Sequence, residues 1–360
     1  MLVHICCSVD SHFFLERLQR EFPEEKLLGF FYDPNIHPYS EYKLRLLDVK
    51  RSCKKLGIEL IEGDYDVEEW MKAVHGLENE PEKGARCEVC FDKRFEVSGH
   101  KALELGEKKF TTTLLVSPLK SQDQLKVSGE KFTQEHNIEF VFLDYRSQGG
   151  TQVQSSVSKE EQLYRQNYCG CLYGLNMQRD STQKLADELM MPLDGRVLPG
   201  SVDERLNFYE HRIELEDIGQ KYKIVKQKFL NYRQLSGRLF FGKNIVPSFF
   251  LHYSTIHNEK AQGRVDFSHN GVHYLNRNEV RLIDLSTFNE LANSSFKSVK
   301  ELIFSPLNIE KELQIRSKLT QNSYDLSAMV VIDRLLDGKI TVELKSRQYE
   351  DTKENLITLD

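Results

Sequence analysis

No cysteine follows Cys171 in this chain of 360 residues, although seven cysteines lie at or before it. No run of about 18 apolar residues occurs anywhere, so nothing reads as a hydrophobic membrane-spanning helix, and no membrane partner is expected. The opening Met1-Leu2-Val3-His4-Ile5-Cys6-Cys7 lacks the basic flank and small-residue cleavage site of a secretion signal, so the expectation is a cytoplasmic protein. In a reducing compartment, unevenly placed cysteines point to metal binding or catalysis rather than to disulfides. Acid is missing too, from one long stretch: none falls between Asp217 and Glu259. Lys221, Lys223, Lys226, Lys228, Arg233, Arg238 and Lys243 stand there, among Tyr222, Phe229, Tyr232, Phe240 and Phe241. Such a segment can follow phosphates and stack bases, which makes Lys221 and Lys226 candidate RNA contacts. The alternative is a solvated helix face running into a buried strand.

What is present in the first half is an alternation of short apolar runs and helical spacings. Leu2–Cys6 and Leu27–Tyr32 read as strands, and Phe14, Leu15, Leu18 and Phe22 mark a helix over Ser11–Phe22. A helix over Tyr39–Leu56 leads through Gly57 to a strand at Ile58–Ile61. Phe110–Leu115 and Ile138–Leu143 supply two further strands, with a helix near Gln122–His136 between them. The pattern predicts an α/β domain with a doubly wound parallel sheet, whose ligands bind at the carboxyl ends of the strands. From Arg238 onward short strands dominate (Arg238–Phe241, Ser248–Tyr253, Val272–Leu275, Met329–Ile332, Ile340–Leu344). The expected organisation is therefore a catalytic domain over 1–178 and a second, α+β domain over 179–360, possessing no internal repeat.

The cysteines fall into three pairs and a remainder. Cys6 and Cys7 close the first strand, Cys87 and Cys90 sit in or beside a helix, and Cys169 and Cys171 end the first domain. Cys53, alone within a helical stretch, reads as a buried apolar thiol. Cys6-Cys7-Ser8-Val9-Asp10-Ser11 lies where a strand turns into a helix, the place at which ATP pyrophosphatases of the adenine-nucleotide hydrolase-like (HUP) fold carry Ser-Gly-Gly-x-Asp-Ser. Both glycine positions are changed here, which removes the phosphate cradle while keeping the strand-turn-helix placement. A helix N-terminus at this point is expected to lower a nearby thiol's pKa. Asp10, three residues after Cys7, is either an oxygen ligand or the helix N-cap. Four thiolates would satisfy a structural zinc, whereas six at this density suit an iron–sulfur cluster. Spacing alone leaves both open.

The assembled motifs resemble the QueH family of epoxyqueuosine reductases. They are His4-Ile5-Cys6-Cys7, then Tyr32-Asp33-Pro34-Asn35-Ile36-His37-Pro38, then Gly63-Asp64-Tyr65-Asp66. Arg86-Cys87-Glu88-Val89-Cys90 with Arg94 follows, then Thr111-Thr112-Thr113-Leu114-Leu115 with Ser117-Pro118, and Asp144-Tyr145-Arg146 with Gly149-Gly150. The set ends in Leu163-Tyr164-Arg165-Gln166-Asn167-Tyr168-Cys169-Gly170-Cys171. These cover residues 1 to about 175. The resemblance implies a tRNA-modifying oxidoreductase that completes queuosine biosynthesis, removing the epoxide oxygen of epoxyqueuosine at the wobble position of tRNA with a GUN anticodon. It also implies a 4Fe-4S cluster beside a further iron ion. Cys6, Cys7, Asp10, Cys87, Cys90, Cys169 and Cys171 would then be the metal ligands, four serving a cluster and three an open-sided iron. Some members carry Cys-Cys-Ala-Pro-Cys where this chain has Cys6-Cys7-Ser8-Val9-Asp10, which favours Asp10 as a ligand.

Deoxygenation of an epoxide needs two electrons, two protons and an electrophile for the departing oxygen. An open iron would serve as the electrophile, and an external one-electron donor would feed the cluster. Tyr32, His37, Asp64 and Tyr164 are candidate proton donors, and Arg86, Arg94, Arg146 and Arg165 candidate phosphate ligands. The wobble base must enter unstacked. Two other readings compete: a zinc-stabilised, non-catalytic RNA-binding module, and an ATP-dependent tRNA thiolase of the same fold.

Overall fold

The computed structural model describes residues 1–191, 195–276, 279–322 and 325–360. The chain divides into two compact units, the first comprising Met1–Leu189, Leu206–Tyr222 and Thr358–Asp360, the second Met190–Arg205 and Lys223–Ile357. The expected boundary at residue 178 falls inside a helix, Leu172–Ser181.

In the first unit, β1 (Leu2–Ile5), α1 (Ser8–Glu21), β2 (Leu28–Phe31), α2 (Tyr39–Leu56), β3 (Glu59–Glu62), α3 (Val67–Ala73) and α4 (Ala85–Glu104) follow one another. They lead to β4 (Lys109–Thr112), α5 (Gln122–Glu135), β5 (Glu139–Phe140), α6 (Gly150–Glu160) and α7 (Leu172–Ser181). The five strands form one parallel sheet in the order β3-β2-β1-β4-β5. β1 and β2 are apolar but for His4, which bonds to Thr112 and the Tyr32 carbonyl, and are buried on both faces, as central strands of a covered parallel sheet must be. α2 stops at Gly57, whose left-handed φ of 66° lets its N–H close on Cys53 and Lys54 carbonyls. Strand order reverses between β1 and β4, so the crevice beyond their carboxyl ends is the switch point where such folds bind ligands.

Two expected strands are shorter than their apolar runs. β4 ends at Thr112, where the chain tightens into a 3-10 turn over Thr113–Val116, with the Thr112 hydroxyl accepting the Leu114 N–H at 3.2 Å. Pairing along Ile138–Leu143 is confined to β5, because that edge strand meets β4 only at Lys109 and Phe110. Cys53 is a buried thiol pushed up to about 12 by burial, as its isolated place in α2 suggested.

The remaining elements are α8 (Val202–Asp217), β6 (Tyr222–Phe241), β7 (Asn244–Val246), β8 (Phe249–Phe250), β9 (Lys260–Gly263), β10 (Val265–His269), β11 (Val272–Leu275) and β12 (Val280–Asp284). After them come α9 (Leu285–Ala292), α10 (Val299–Phe304), α11 (Ile309–Thr320), β13 (Ala328–Ile332) and β14 (Ile340–Thr358). Within the second unit a four-stranded sheet, β7-β6-β14-β9, and a five-stranded sheet, β10-β11-β12-β13-β8, share a core built on Leu239, Phe241, Leu282, Val330 and Val342. α9, α10 and α11 cover the other face of the five-stranded sheet through Phe288, Leu302 and Ile315. The acid-free stretch is not the helix face of the bland alternative. Its longest element is one strand of 20 residues, β6, rich enough in Tyr, Phe, Ile and Val to hold extended pairing, and β7 and β8 follow within it. Among the described residues no helix is long and apolar enough to cross a membrane.

Candidate metal centre

Cys6 and Cys7 leave the end of β1, and Cys7 itself occupies the N-cap of α1 with no side chain capping that helix. Asp10 is therefore not the cap. Its carboxylate turns back to the thiols: Cys6 Sγ lies 3.7 Å from Asp10 Oδ2 and 3.7 Å from Cys7 Sγ. One ligand atom from each of Cys6, Cys7 and Asp10 falls within 4.8 Å of the others, all three residues being buried. Gln154 on α6 donates its amide to Asp10 Oδ1 at 2.6 Å and fixes the carboxylate from behind. That support needs α6 close by, and Gly150 permits it, since a Cβ there would stand 1.8 Å from the Tyr145 carbonyl oxygen.

The other four thiols come from two helix starts. Cys87 and Cys90 lie in the first two turns of α4, and Cys169 and Cys171 precede α7. Cys90 and Cys171 pack with the fully buried Trp70 and with Val74, and Cys169 borders them. Gly170 between the pair adopts φ 101°, and a Cβ would meet Ile36 at 2.8 Å. Its carbonyl accepts the His37 N–H at 2.8 Å, tying this loop to the segment after β2. Backbone amides turn toward the sulfurs, Lys83 N–H to Cys87 at 3.3 Å and Cys171 N–H to Cys169 at 3.4 Å.

The expected lowering at the α1 N-terminus does not occur. A hydrogen bond with Cys6, burial and the charge of Asp10 together hold Cys7 well above the usual thiol range. Burial likewise raises Cys87 and Cys90. Cys169 is the exception, lowered chiefly by its hydrogen bond with Cys171 and by the ammonium of Lys120. Thiols raised in this way, as Cys7, Cys87 and Cys90 are, suit a cation, which converts coordinating thiols to thiolates outright. Asp10 is itself raised by burial, against the hydrogen bonds of Cys7 and Gln154, which lower it.

Cys6, Asp10 and Cys169 open on one cavity of about 380 Å³, with Arg94, Lys120 and Arg165 also in its wall. Its size lies within the ordinary range for small-ligand pockets, roughly 300–1,000 Å³. Arg94 is buried, ion-paired to Asp33 and donating to His4 Nε2 at 3.4 Å. Lys120 feels burial first, yet Cys169, Cys87 and Glu82 raise its pKa on balance, so it stays cationic. Arg165 is exposed, and among the described residues it makes no ion pair or side-chain hydrogen bond.

The other predicted residues stand elsewhere. Arg86 is buried and holds the Leu77 and Glu78 carbonyls, while Arg146 holds those of Ser117 and Lys120 at 2.8 and 2.9 Å. Both brace loops rather than face the cavity. Tyr32 donates to Asp66 at 3.2 Å and Tyr164 to Glu41 at 2.8 Å, each within the protein interior. Asp64 is exposed beyond β3. His37 is half-buried, accepts or donates at Nδ1 with the Asn35 carbonyl at 3.0 Å, and lies 5.8 Å from the Trp70 ring. Lys221 and Lys226 are exposed at and along β6. Sequence reasoning missed Lys120, Glu82 and Gln154. Only the first carried a signal, as the basic residue just after Ser117-Pro118.

Six sulfurs and one carboxylate thus divide by position into Cys6, Cys7 and Asp10 on one side and Cys87, Cys90, Cys169 and Cys171 on the other. Such soft, thiolate-rich donors fit iron–sulfur chemistry, and one structural zinc would leave three of the seven unused. The nucleotide reading meets a filled loop: the Ser8 hydroxyl is bonded to Asp48 where a glycine would leave room for phosphate.

The family model described as epoxyqueuosine reductase QueH matches residues 1–177. A Helicobacter pylori protein described as epoxyqueuosine reductase QueH is 40% identical, over 98% of each chain. A Thermotoga maritima protein of the same description is 32% identical over 52% of this chain and 95% of its own. The solved structure of the U34-tRNA thiolase NcsA from Methanococcus maripaludis with its 4Fe-4S cluster aligns with 59% of this chain and 73% of that one. Its TM-score is 0.34 at 14% identity, too distant to bear on chemistry.

Proposed function

The chain belongs to the epoxyqueuosine reductase QueH family, and from that premise we propose that it reduces epoxyqueuosine to queuosine in tRNA. The substrate is the wobble nucleoside of tRNA with a GUN anticodon, and the reaction takes place in the cytoplasm. The observation that supports this reading is the buried group of Cys6, Cys7 and Asp10 beside a cavity onto which Cys6, Asp10 and Cys169 open. The epoxide takes up two electrons and two protons, both C–O bonds of the ring oxygen are lost, and alkene and water leave.

Cys87, Cys90, Cys169 and Cys171 are assigned to a 4Fe-4S cluster, and Cys6, Cys7 and Asp10 to an additional iron. Bound there, these groups would supply electrons one at a time, from an external one-electron donor, and a Lewis acid for the departing oxygen. The chain's own residues do the rest. Gln154 keeps Asp10 turned toward the two sulfurs. Arg94, anchored by Asp33, keeps positive charge in the buried wall. Lys120 presents an ammonium to the cavity, placed to hold the charge that develops on the oxygen. Arg165, exposed at the cavity, meets the phosphate of the nucleotide whose base has entered. Leu114, Pro118 and Leu119 line the same space and offer apolar contact to an unstacked base.

Expression in cells that lack their own epoxyqueuosine reductase tests this: queuosine should replace epoxyqueuosine in digested tRNA. Accumulated epoxyqueuosine beside abundant, iron-loaded protein would contradict it.

A further inference from the structure

The second unit has an open groove of about 980 Å³ to which the reaction assigns nothing. Its rim carries Lys260, Arg264 and Lys339, all exposed, with His257 beside them. Glu279 is the one acid among the residues that line it, and buried Leu275 and Val280 form an apolar floor. Lys260 is already paired with Glu343 across β9 and β14 at 2.9 Å. Arg264 and Lys339, in contrast, make no ion pair or side-chain hydrogen bond among the described residues. The Arg264 backbone is held by Asn276, which accepts its N–H at 3.1 Å, so the guanidinium projects from a fixed base.

A relative of the same description is matched almost end to end by the first half of this chain. The chemistry therefore fits in that half, and the second unit is free to do something else. A groove with two cations that make no ion pair among the described residues, amide side chains at Gln262 and Asn276, and a single acid has the make-up of a surface for a phosphate backbone.

We propose that this groove binds the sugar–phosphate backbone of the tRNA substrate, with phosphates on Arg264 and Lys339. The proposal rests on the reading of tRNA as substrate. It makes the second unit a grip that raises affinity without touching the reacting atoms.

The test compares the full-length holoenzyme with its Arg264→Glu, Lys339→Glu double variant and with Arg264→Gln, Lys339→Gln, on full-length tRNA carrying epoxyqueuosine. Both positions are exposed, so the melting temperature should hold. The charge-reversed form should raise KM and the tRNA dissociation constant at least about tenfold, with kcat at saturating tRNA unchanged. The neutral form should do so less, and each lost phosphate contact should flatten the salt dependence of binding by about 1 in log–log slope. Unchanged KM and unchanged salt slope would overturn the proposal and leave an acidic protein as the groove's partner. If the wild type binds tRNA through these residues yet converts nothing, the groove stands and the reductase reading falls.

Discussion

Asp10 decides more than any other single residue, because its oxygen separates a purely thiolate site from one with a mixed, open side. If Cys6, Cys7 and Asp10 hold the additional iron, Asp10→Ala should lose that iron alone. Anaerobically reconstituted variant should keep the four-iron cluster by Mössbauer spectroscopy while deoxygenation falls at least about 100-fold, the upper end of what losing a residue that only supports a metal ligand costs. Loss of the cluster itself would move Asp10 into the other group. Lys120 is the second informative residue. Lys120→Met keeps the bulk of the side chain and removes the charge, so kcat should drop by about 10²–10³ with tRNA affinity little changed. An unaltered kcat would reduce Lys120 to a wall residue. These two predictions also show what the sequence could and could not disclose. Asp10 was legible because it sits one turn from Cys6-Cys7. Glu82 and Gln154 were not, because only the folded chain brings positions so far apart in sequence to one cavity.

Secondary elements explain why that assembly holds. Helix and strand periodicity located β1, β2, α2 and α5, since a buried parallel strand and an amphipathic helix leave different patterns. It overran at β4, where a run of β-formers, Phe110 and three threonines, continues into a 3-10 turn that the sequence pattern does not distinguish. It also had no means of seeing that the end of α8 belongs to the first unit. There Arg51 on α2 takes Glu216 through two donors, at 2.8 and 2.9 Å, and Tyr222 adds a third. Burial opposes ionisation of Glu216, but these partners hold it at about 2 against an ordinary 4.5. A depressed carboxylate stabilises the fold above its unfolded pKa and stops doing so as pH falls through the folded value. Glu216→Gln should accordingly cost about 1–3 kcal/mol at pH 7 in urea unfolding, after allowance for its partial exposure. The gap from wild type should narrow between about pH 4.5 and 2. A constant gap across that range would show that the anchor is not this charge. Gly170 gives a second test at this level: Gly170→Ala forces a side chain into φ 101° against Ile36. It should cost about 1–3 kcal/mol and reduce iron content, because the strain falls between two of the thiols proposed for the cluster.

At the scale of the whole molecule, the distribution of cysteine is the clearest message of the sequence. All seven thiols lie in the first unit, where Cys6 and Cys169 open on one cavity, whereas the second unit has none. The family model matches residues of the first unit, and the second contributes two sheets, a helical layer and the groove proposed above for phosphates. Its architecture was legible only as β-rich, because β6 and β14 are long strands of mixed polarity in which charge obscures alternation. The central claim is that the thiol-rich site deoxygenates epoxyqueuosine in tRNA. Its most direct test is anaerobic incubation of reconstituted protein with epoxyqueuosine-containing tRNA and a strong one-electron reductant, followed by nucleoside mass spectrometry. The account predicts conversion to queuosine with loss of one oxygen mass, abolished by Cys87→Ala. Iron-loaded wild type that binds the tRNA and leaves epoxyqueuosine intact would contradict it.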